Sequence, residues 1–471
     1  MLEGGRTQHK VEQIIPSAAR TVASLRDVGY DTPHAIADLV DNSLTAHASQ
    51  VDITFHFDGE RSWIRVADNG EGMDAATLLD AMRYGSEREY SRDDLGKFGF
   101  GLKTASTSQC RRLTVASRRA PQYARMEVRR LDLKHIEETN EWEVLVLEDD
   151  RPDAVTEPLL EHTGTVVLWE DLDRILEYKD PWGEWARRKL LSLAEQVDSH
   201  LGMVYHRFLL GKVPGRRLHI TVNGAKVQPW DPFCRREPRT EDMPPKDFAV
   251  SGDGGVGIVR VQPYVLPRQS EFSSEAAWKQ ASGPANWNRQ QGFYIYRAYR
   301  MIQSGGWNRM RTADEHTKLA RVSIDFFPDL DSIFEINITK MRVNLPQELR
   351  DQLELVVSQV TRRADQRYRS SDPKGTGGQP IGGAHRSVPP RRSADQPRGN
   401  GTGRPPGGSG LPLGATGGAP TDLTMNPTGP TVKPRQAIEE AAAVTGEKEA
   451  LQRIIRALQE QHPEVAHDLG W

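Results

Sequence analysis

Apolar positions recur along this chain in two rhythms, and the switches between them lay out its elements. Residues 15–27 carry a helical stripe. A second helix is announced by Asp31-Thr32-Pro33, a capping residue with proline at the first helical position, and Ile36, Leu39, Val40 and Leu44 continue it at helical spacing. The rhythm then shortens to two: residues 51–57 and 62–67 alternate as strands around an Asp58-Gly59 turn. Residues 74–83 return to a helix, with Ala75, Leu78, Leu79 and Met82 on its apolar side. Residues 84–95 are highly charged and carry no stripe, as expected of a surface loop or a lid beside a glycine-rich turn. Strands are predicted at 112–117, 123–133, 142–148 and 165–169. A helix over 182–201, with Leu190, Leu191, Leu193, Ala194 and Val197 inward, marks the entry to a second domain. Residues 218–222 followed by Asn223-Gly224 spell a hairpin. Further strands are expected at 257–265, 292–300 and 322–327, with a polar insertion over 267–289, and a last helix runs over 346–368. Helices on one face of a mixed, mostly antiparallel sheet make an α+β fold.

Both rhythms stop near residue 370. Residues 370–433 are rich in Gly, Pro, Ser and Arg and poor in large apolar residues, so burial cannot offset the entropy of ordering them; a disordered linker is predicted. Its first half is basic (Arg386, Arg391, Arg392, Arg398, Arg404), which suits either a solubilising tether or loose electrostatic contact with nucleic acid. Beyond it, residues 435–462 read as helical, with Leu451, Ile454, Ile455 and Leu458 on one stripe. So short a helix has little core of its own and is expected to dock on a protein partner or a second copy. The chain therefore divides as 1–178, 179–369, 370–433 and 434–471.

Composition changes this picture little. A chain of 471 residues holds two or three domains. A net charge of -3 gives no global attraction to nucleic acid. Two cysteines, Cys110 and Cys234, outside any CxxC pair, fit a reducing cytoplasm. No apolar run nears the roughly 18 residues that would span a bilayer, so no membrane role is expected. No metal-ligand cluster, no Ser/His/Asp or Cys/His constellation and no internal repeat stands out.

Three short stretches carry candidate chemistry. Asp38 and Asn42 stand one turn apart on one helix face; alone, such a pair is most simply a solvated face. The strand ending at Ala67 runs into Asp68-Asn69-Gly70-Glu71-Gly72-Met73, where glycines let the backbone approach a planar ligand closely, although an ordinary turn has the same composition. Gly96-Lys97-Phe98-Gly99-Phe100-Gly101-Leu102-Lys103 leads into a helix whose first N–H groups form an anion cradle. Its spacing is not that of a Walker A loop.

In order and spacing the three stretches resemble the ATP-binding motifs of the GHKL ATPases (gyrase B, heat-shock-90 chaperones, sensor histidine kinases and MutL). The likeness is greatest to the MORC-like and MutL-like branch, whose first motif reads acid-Leu-Ile-Asp-Asn-Ser. The third motif, Gly-x-x-Gly-x-Gly-x-Lys, is met in full. The resemblance implies a Bergerat α+β sandwich followed by a transducer-like α/β domain, and it implies roles for single residues. Asn42 would hold Mg²⁺ against the phosphates and Asp38 would be the general base for the attacking water. Asp68 would accept from the adenine amino group, Gly70 and Gly72 would shape the base pocket, and Met73 would pack near the ring. Gly96, Gly99, Gly101 and Lys103 would cradle the phosphates. Thr163-Gly164-Thr165 resembles the fourth motif, in which the Thr165 hydroxyl would support Asp68. Residues 292–307 and 329–342 resemble the transducer domain, whose lysine, here Lys340 with Arg342 as runner-up, would reach the γ-phosphate. The likeness extends to about residue 346. One departure stands out: most of the family has glutamate where this chain has Asp38, one methylene shorter.

The expectation is thus an ATP- and Mg²⁺-dependent conformational switch that turns over slowly and dimerises through its N-terminal faces. The MORC and MutL likeness favours a DNA client, in bacterial DNA processing, restriction, repair or antiphage defence. A chaperone of the heat-shock-90 kind lacks its long charged linker and large middle domain here. A sensor kinase would need a phosphoacceptor helix ahead of the pocket, where only some 30 residues precede it. A nucleotide-gated binding module without turnover would share the fold and differ only in whether Asp38 works.

Overall fold

Up to Lys226 the chain builds one sheet with helices laid over it. The computed structural model describes residues 14–27, 29–85, 101–119, 125–177, 180–252, 255–335 and 343–370, together with Leu451, Gln452, Ile455, Arg456 and Gln459. The chain divides into two units, Met1–Gly378 and Gln379–Trp471. In the second unit the five described residues are helical.

The first sheet has eight strands: β1 (Gln50–His56), β2 (Trp63–Asp68), β3 (Arg112–Arg118), β4 (Glu127–Asp132), β5 (Leu145–Val146), β6 (Gly164–Glu170), β7 (His219–Val222) and β8 (Ala225–Lys226), in the order β5-β4-β3-β6-β2-β1-β7-β8. Every pairing is antiparallel except β1 with β7. Alternation sorts its side chains between two faces. On β6, Val167 and Trp169 enter the main core under the helices, whereas Val166 and Leu168 join a smaller cluster with Val155 and Leu159 on the opposite face.

Among the helices that frame this core are α1 (Ala18–Arg26), α2 (Thr32–Thr45), α3 (Ala75–Met82), α4 (Gly101–Thr107) and α5 (Glu184–Val204). The start of α2 is as predicted: the Asp31 side chain accepts from the His34 N–H at 2.9 Å, with Pro33 in the first turn. Packed between α4, α5 and the sheet, α2 is buried almost all round, and Asn42 is the one exposed residue among Thr32–Thr45. The helix α5, expected at the entry to a second domain, packs into this first core through Leu190, Leu193, Ala194, Val197 and Leu201. Leu79 and Leu191, read as inward-facing, are exposed at 46% and 50%.

The second sheet comprises β9 (Glu241–Asp242), β10 (Lys246–Gly252), β11 (Gly255–Val265), β12 (Gly292–Arg297), β13 (Arg300–Ser304) and β14 (Ala320–Phe326), in the order β10-β11-β14-β12-β13 with β9 on β11. A long helix, α6 (Gln347–Arg369), covers one face through Leu349, Leu353, Val356, Val357 and Val360. Tyr294, Tyr296, Tyr264 and Phe233 cluster on the other. All six residues of β12 are buried.

Three expectations are corrected. The strand predicted over 292–300 is a tight hairpin, β12 turning into β13 at Ala298 and Tyr299, both in the left-handed region at φ 46° and 69°. The signal was hidden because neither residue is the Gly or Asn that usually marks such a turn. The strand predicted over 123–133 is shorter in the described residues, and Leu133–Thr139 is helical, started by the Asp132 side chain accepting from the Lys134 N–H. The strand predicted over 142–148 contracts to Leu145–Val146. The Asn223-Gly224 hairpin holds, at φ 49° and 78°.

Candidate functional site

One helix spans the whole site. From α2, Asp38 and Asn42 face one way, while Ser43 reaches the end of β2, where its hydroxyl donates to Asp68 Oδ2 at 2.9 Å. The other carboxylate oxygen of Asp68 accepts from the Gly70 N–H at 2.8 Å and the Thr165 N–H at 3.2 Å. Desolvation pushes the Asp68 carboxyl above its usual range, opposed by these three hydrogen bonds. A half-buried carboxylate oriented by three donors still has lone pairs to offer, which suits recognition of an exocyclic amine.

Glycines bring the surrounding backbone together. Gly164 sits at φ 143°, and a Cβ there would lie 1.9 Å from the Asp68 carbonyl oxygen. At Gly72, φ 68°, a Cβ would lie 2.1 Å from the Arg118 carbonyl oxygen. A Cβ on Gly70 would meet the Ala46 carbonyl oxygen at 2.7 Å. Met73 is half-buried against the first core, and its N–H donates to Ser117 Oγ at 2.7 Å. Thr165 supports Asp68 through its backbone, not its hydroxyl as expected. Thr165 stands directly opposite Ser117 in the β3–β6 register, so the two hydroxyls meet at 2.9 Å instead.

On the other face of α2 from Ser43 two acids are buried. Asp38 is 2% exposed and accepts from the Tyr30 hydroxyl at 2.8 Å. The Tyr30 segment is itself tied down by Gln109, whose amide donates to the Tyr30 carbonyl at 3.0 Å. Asp41 is fully buried and accepts from the Tyr205 hydroxyl, beyond the end of α5, at 2.6 Å, and from Arg300 Nε at 3.2 Å. Arg300 comes from β13 of the second sheet and is 2% exposed; its Nη2 lies 3.9 Å from Asp38 Oδ1. Burial alone would disfavour the Arg300 charge, but Asp41, Tyr205 and Asp38 together hold its pKa above the ordinary value. Burial and then the Asp38 charge push the Tyr30 hydroxyl up, and burial with the Asp41 charge does the same to Tyr205.

Gly101 opens α4, and Lys103 follows in its first turn, but the Lys103 ammonium is turned inward. It is 2% exposed and donates to the Ala81 carbonyl at the end of α3 at 2.9 Å. Burial lowers its pKa to about 8, with Asp80 opposing. Gly96, Gly99, Lys340 and Arg342 lie outside the described residues. Among the described residues no three His, Cys, Asp or Glu side chains are placed to share a metal ion.

Sequence reasoning placed Asp38, Asn42, Asp68, Gly70, Gly72, Met73, Gly101 and Lys103 along one α2-centred site and missed Tyr30, Ser43, Asp41, Tyr205, Ser117 and Arg300. For Ser43 a signal existed, because the first motif of the resembled family ends in serine. For Arg300 none was available locally, since it acts 259 residues from Asp41.

Residues 30–165 match the protein family described as "Histidine kinase-, DNA gyrase B-, and HSP90-like ATPase". The chain is also similar to the DNA mismatch repair protein MutL of several bacteria. Over 229 residues it is 31% identical to that of Shewanella halifaxensis, covering 47% of this chain and 31% of that protein. Over 228 residues it is 28% identical to that of Salmonella arizonae, 47% of this chain and 32% of that protein. Over 92 residues it is 38% identical to that of Gemmatimonas aurantiaca, 19% of this chain and 15% of that protein. The chain thus spans less than a third of the curated relatives it matches. Among the described residues no helix is long and apolar enough to cross a membrane.

Proposed function

We propose that this chain, whose residues 30–165 belong to the histidine kinase-, DNA gyrase B- and HSP90-like ATPase family, is an ATP-hydrolysing conformational switch. One observation carries the reading: α2 alone presents the acid Asp38, the amide Asn42 and, through Ser43, the amine-recognising Asp68. A single rigid element that holds both ends of an elongated ligand fixes the distance between base recognition and chemistry.

In this reading adenine lies against Gly70, Gly72 and Met73, with its amino group donating to Asp68. Asn42 would hold Mg²⁺, which when bound offsets the charge of the phosphates. Asp38 takes a proton from water as its oxygen bonds to the γ-phosphorus, while the bond from that phosphorus to the bridging oxygen breaks and ADP leaves. Lys103 is released from Ala81 to face the phosphates, and Lys340 is the second-domain contact to the γ-phosphate. ATP closes two copies into a dimer through their N-terminal faces, and hydrolysis reopens them; turnover is slow because the cycle does conformational work. The client is DNA, by the likeness to proteins named for DNA mismatch repair, and the setting is DNA processing, restriction or antiphage defence. The C-terminal helix docks a protein partner.

The test is ATP turnover with Mg²⁺ by wild type, Asp38→Asn and Asn42→Ala, alongside equilibrium ATP binding. Loss of turnover by at least a hundredfold in Asp38→Asn with ATP still bound supports the switch. Binding without turnover in the wild type favours the nucleotide-gated module. Absence of ATP binding overturns both.

A further inference from the structure

The hairpin tip that carries Arg300 belongs to two cores at once. Its stem, β12 and β13, lies in the second sheet, whereas Ala298 is buried in the first core and Tyr299 packs against it. Both tip residues adopt left-handed backbone without being glycine, at φ 46° and 69°, a geometry that surrounding packing must hold. The Ala298 N–H donates to the Phe326 carbonyl at 3.0 Å, tying the tip back to β14. One residue past the tip, Arg300 places its guanidinium beside α2. Its Nε takes Asp41, its Nη1 donates to the Met301 carbonyl at 3.3 Å, and its Nη2 makes no hydrogen bond among the described residues while lying 3.9 Å from Asp38 Oδ1. Tyr30 holds Oδ2 of the same carboxylate.

A guanidinium is a rigid planar fork, so fixing Nε on Asp41 also fixes where Nη2 points. A general base must present its carboxylate oxygen to the attacking water in a fixed direction. A guanidinium arm held within 4 Å of Asp38 answers that need by orienting the carboxylate plane.

We propose that Arg300 is a positioning residue for Asp38, delivered by the second sheet, so that the base is set for catalysis only while the Ala298–Tyr299 tip is seated in the first core. The inference rests on Asp38 being the base. It makes the hydrolytic centre a composite of both sheets and couples their relative seating to hydrolysis without any contact to nucleotide. Asp41 and Tyr205 serve as the socket that aims the fork.

The experiment compares kcat, KM and equilibrium ATP binding across wild type, Arg300→Lys, Asp41→Asn/Arg300→Gln and Asp38→Asn in the full chain. Arg300→Lys keeps a charge against Asp41 but loses the second arm of the fork; the double variant removes both buried charges and so spares the fold an unpaired one. Both are expected to bind ATP within threefold of wild type, to keep KM within threefold, and to lose at least tenfold in kcat. A purely structural Arg300 would give the folded double variant the kcat of wild type, and that result overturns the proposal, as does wild-type kcat in Arg300→Lys. Undiminished turnover in Asp38→Asn overturns instead the assignment of the base on which the proposal stands.

Discussion

The two ends of the site, reached from different faces of α2, hold carboxylates by opposite means. Asp68 is fixed by the backbone N–H groups of Gly70 and Thr165 and by Ser43, all within the first sheet and its helices. Asp41 is fixed by Tyr205 and Arg300, 164 and 259 residues away, and the second of these is a full charge from the other sheet. An acid held by neutral backbone donors is a recognition group whose geometry survives movement elsewhere. An acid held by a distant cation depends on where that cation's element is docked. The site thus joins a constant end to a conditional one.

The sharpest way to break this comparison is at Asp41. Asp41→Asn leaves the Arg300 charge buried without its nearer ion partner and should cost about 3–5 kcal/mol in urea-unfolding stability, most of it recovered in Asp41→Asn/Arg300→Gln. A loss under about 1 kcal/mol would mean the conditional end is not conditional.

Lys103 gives a pH signature to the phosphate side. Its folded pKa of about 8 lies below the ordinary 10.5, so between those values the unfolded chain binds more protons and stability rises with pH. Relative to Lys103→Met, the wild type should gain up to about 3 kcal/mol as pH rises from about 8 to about 10.5, read from paired urea titrations. A constant difference across that window would place the ammonium in water.

At the constant end, Gly164→Ala forces a Cβ towards the Asp68 carbonyl and should cost about 2–3 kcal/mol while weakening ATP-analogue binding. The smallest effect is expected for Ser43→Ala. Loss of one donor to Asp68 should cost about 1 kcal/mol in stability and soften discrimination of ATP from GTP, measured by competitive binding. If Ser43→Ala instead altered kcat alone, the two ends would not be separable.

Legibility in the sequence follows the same division. Asp68, Gly70 and Gly72 were readable because the glycines are required by backbone approach within a few residues, and such demands leave a local mark. The start of α2 was readable from Asp31 and Pro33 for the same reason. Arg300 was not, because the turn that aims it is built from Ala298 and Tyr299, held left-handed by packing and not by composition. Asp41 reads as one more polar residue on a helix until Tyr205 and Arg300 are seen around it. Lys103 reads as open to a ligand, yet it is buried and its ammonium donates to the Ala81 carbonyl at the end of α3. The hydroxyl of Thr165 was assigned correctly to the neighbourhood of Asp68 and wrongly to the atom, since strand register, which no local pattern reveals, faces it to Ser117.

The parallel seam between β1 and β7 has a consequence for the order in which the protein is made. Asp52 and Thr221, which meet across that seam, are 169 residues apart. A ribosome adding roughly 5–20 residues per second leaves the β1 edge without its neighbour for on the order of 10–30 seconds. During that interval α5 is also incomplete, so an open strand edge and an uncovered apolar face coexist on the nascent chain. A gene truncated after residue 178 would make that transient permanent, while one extended past Lys226 would close it.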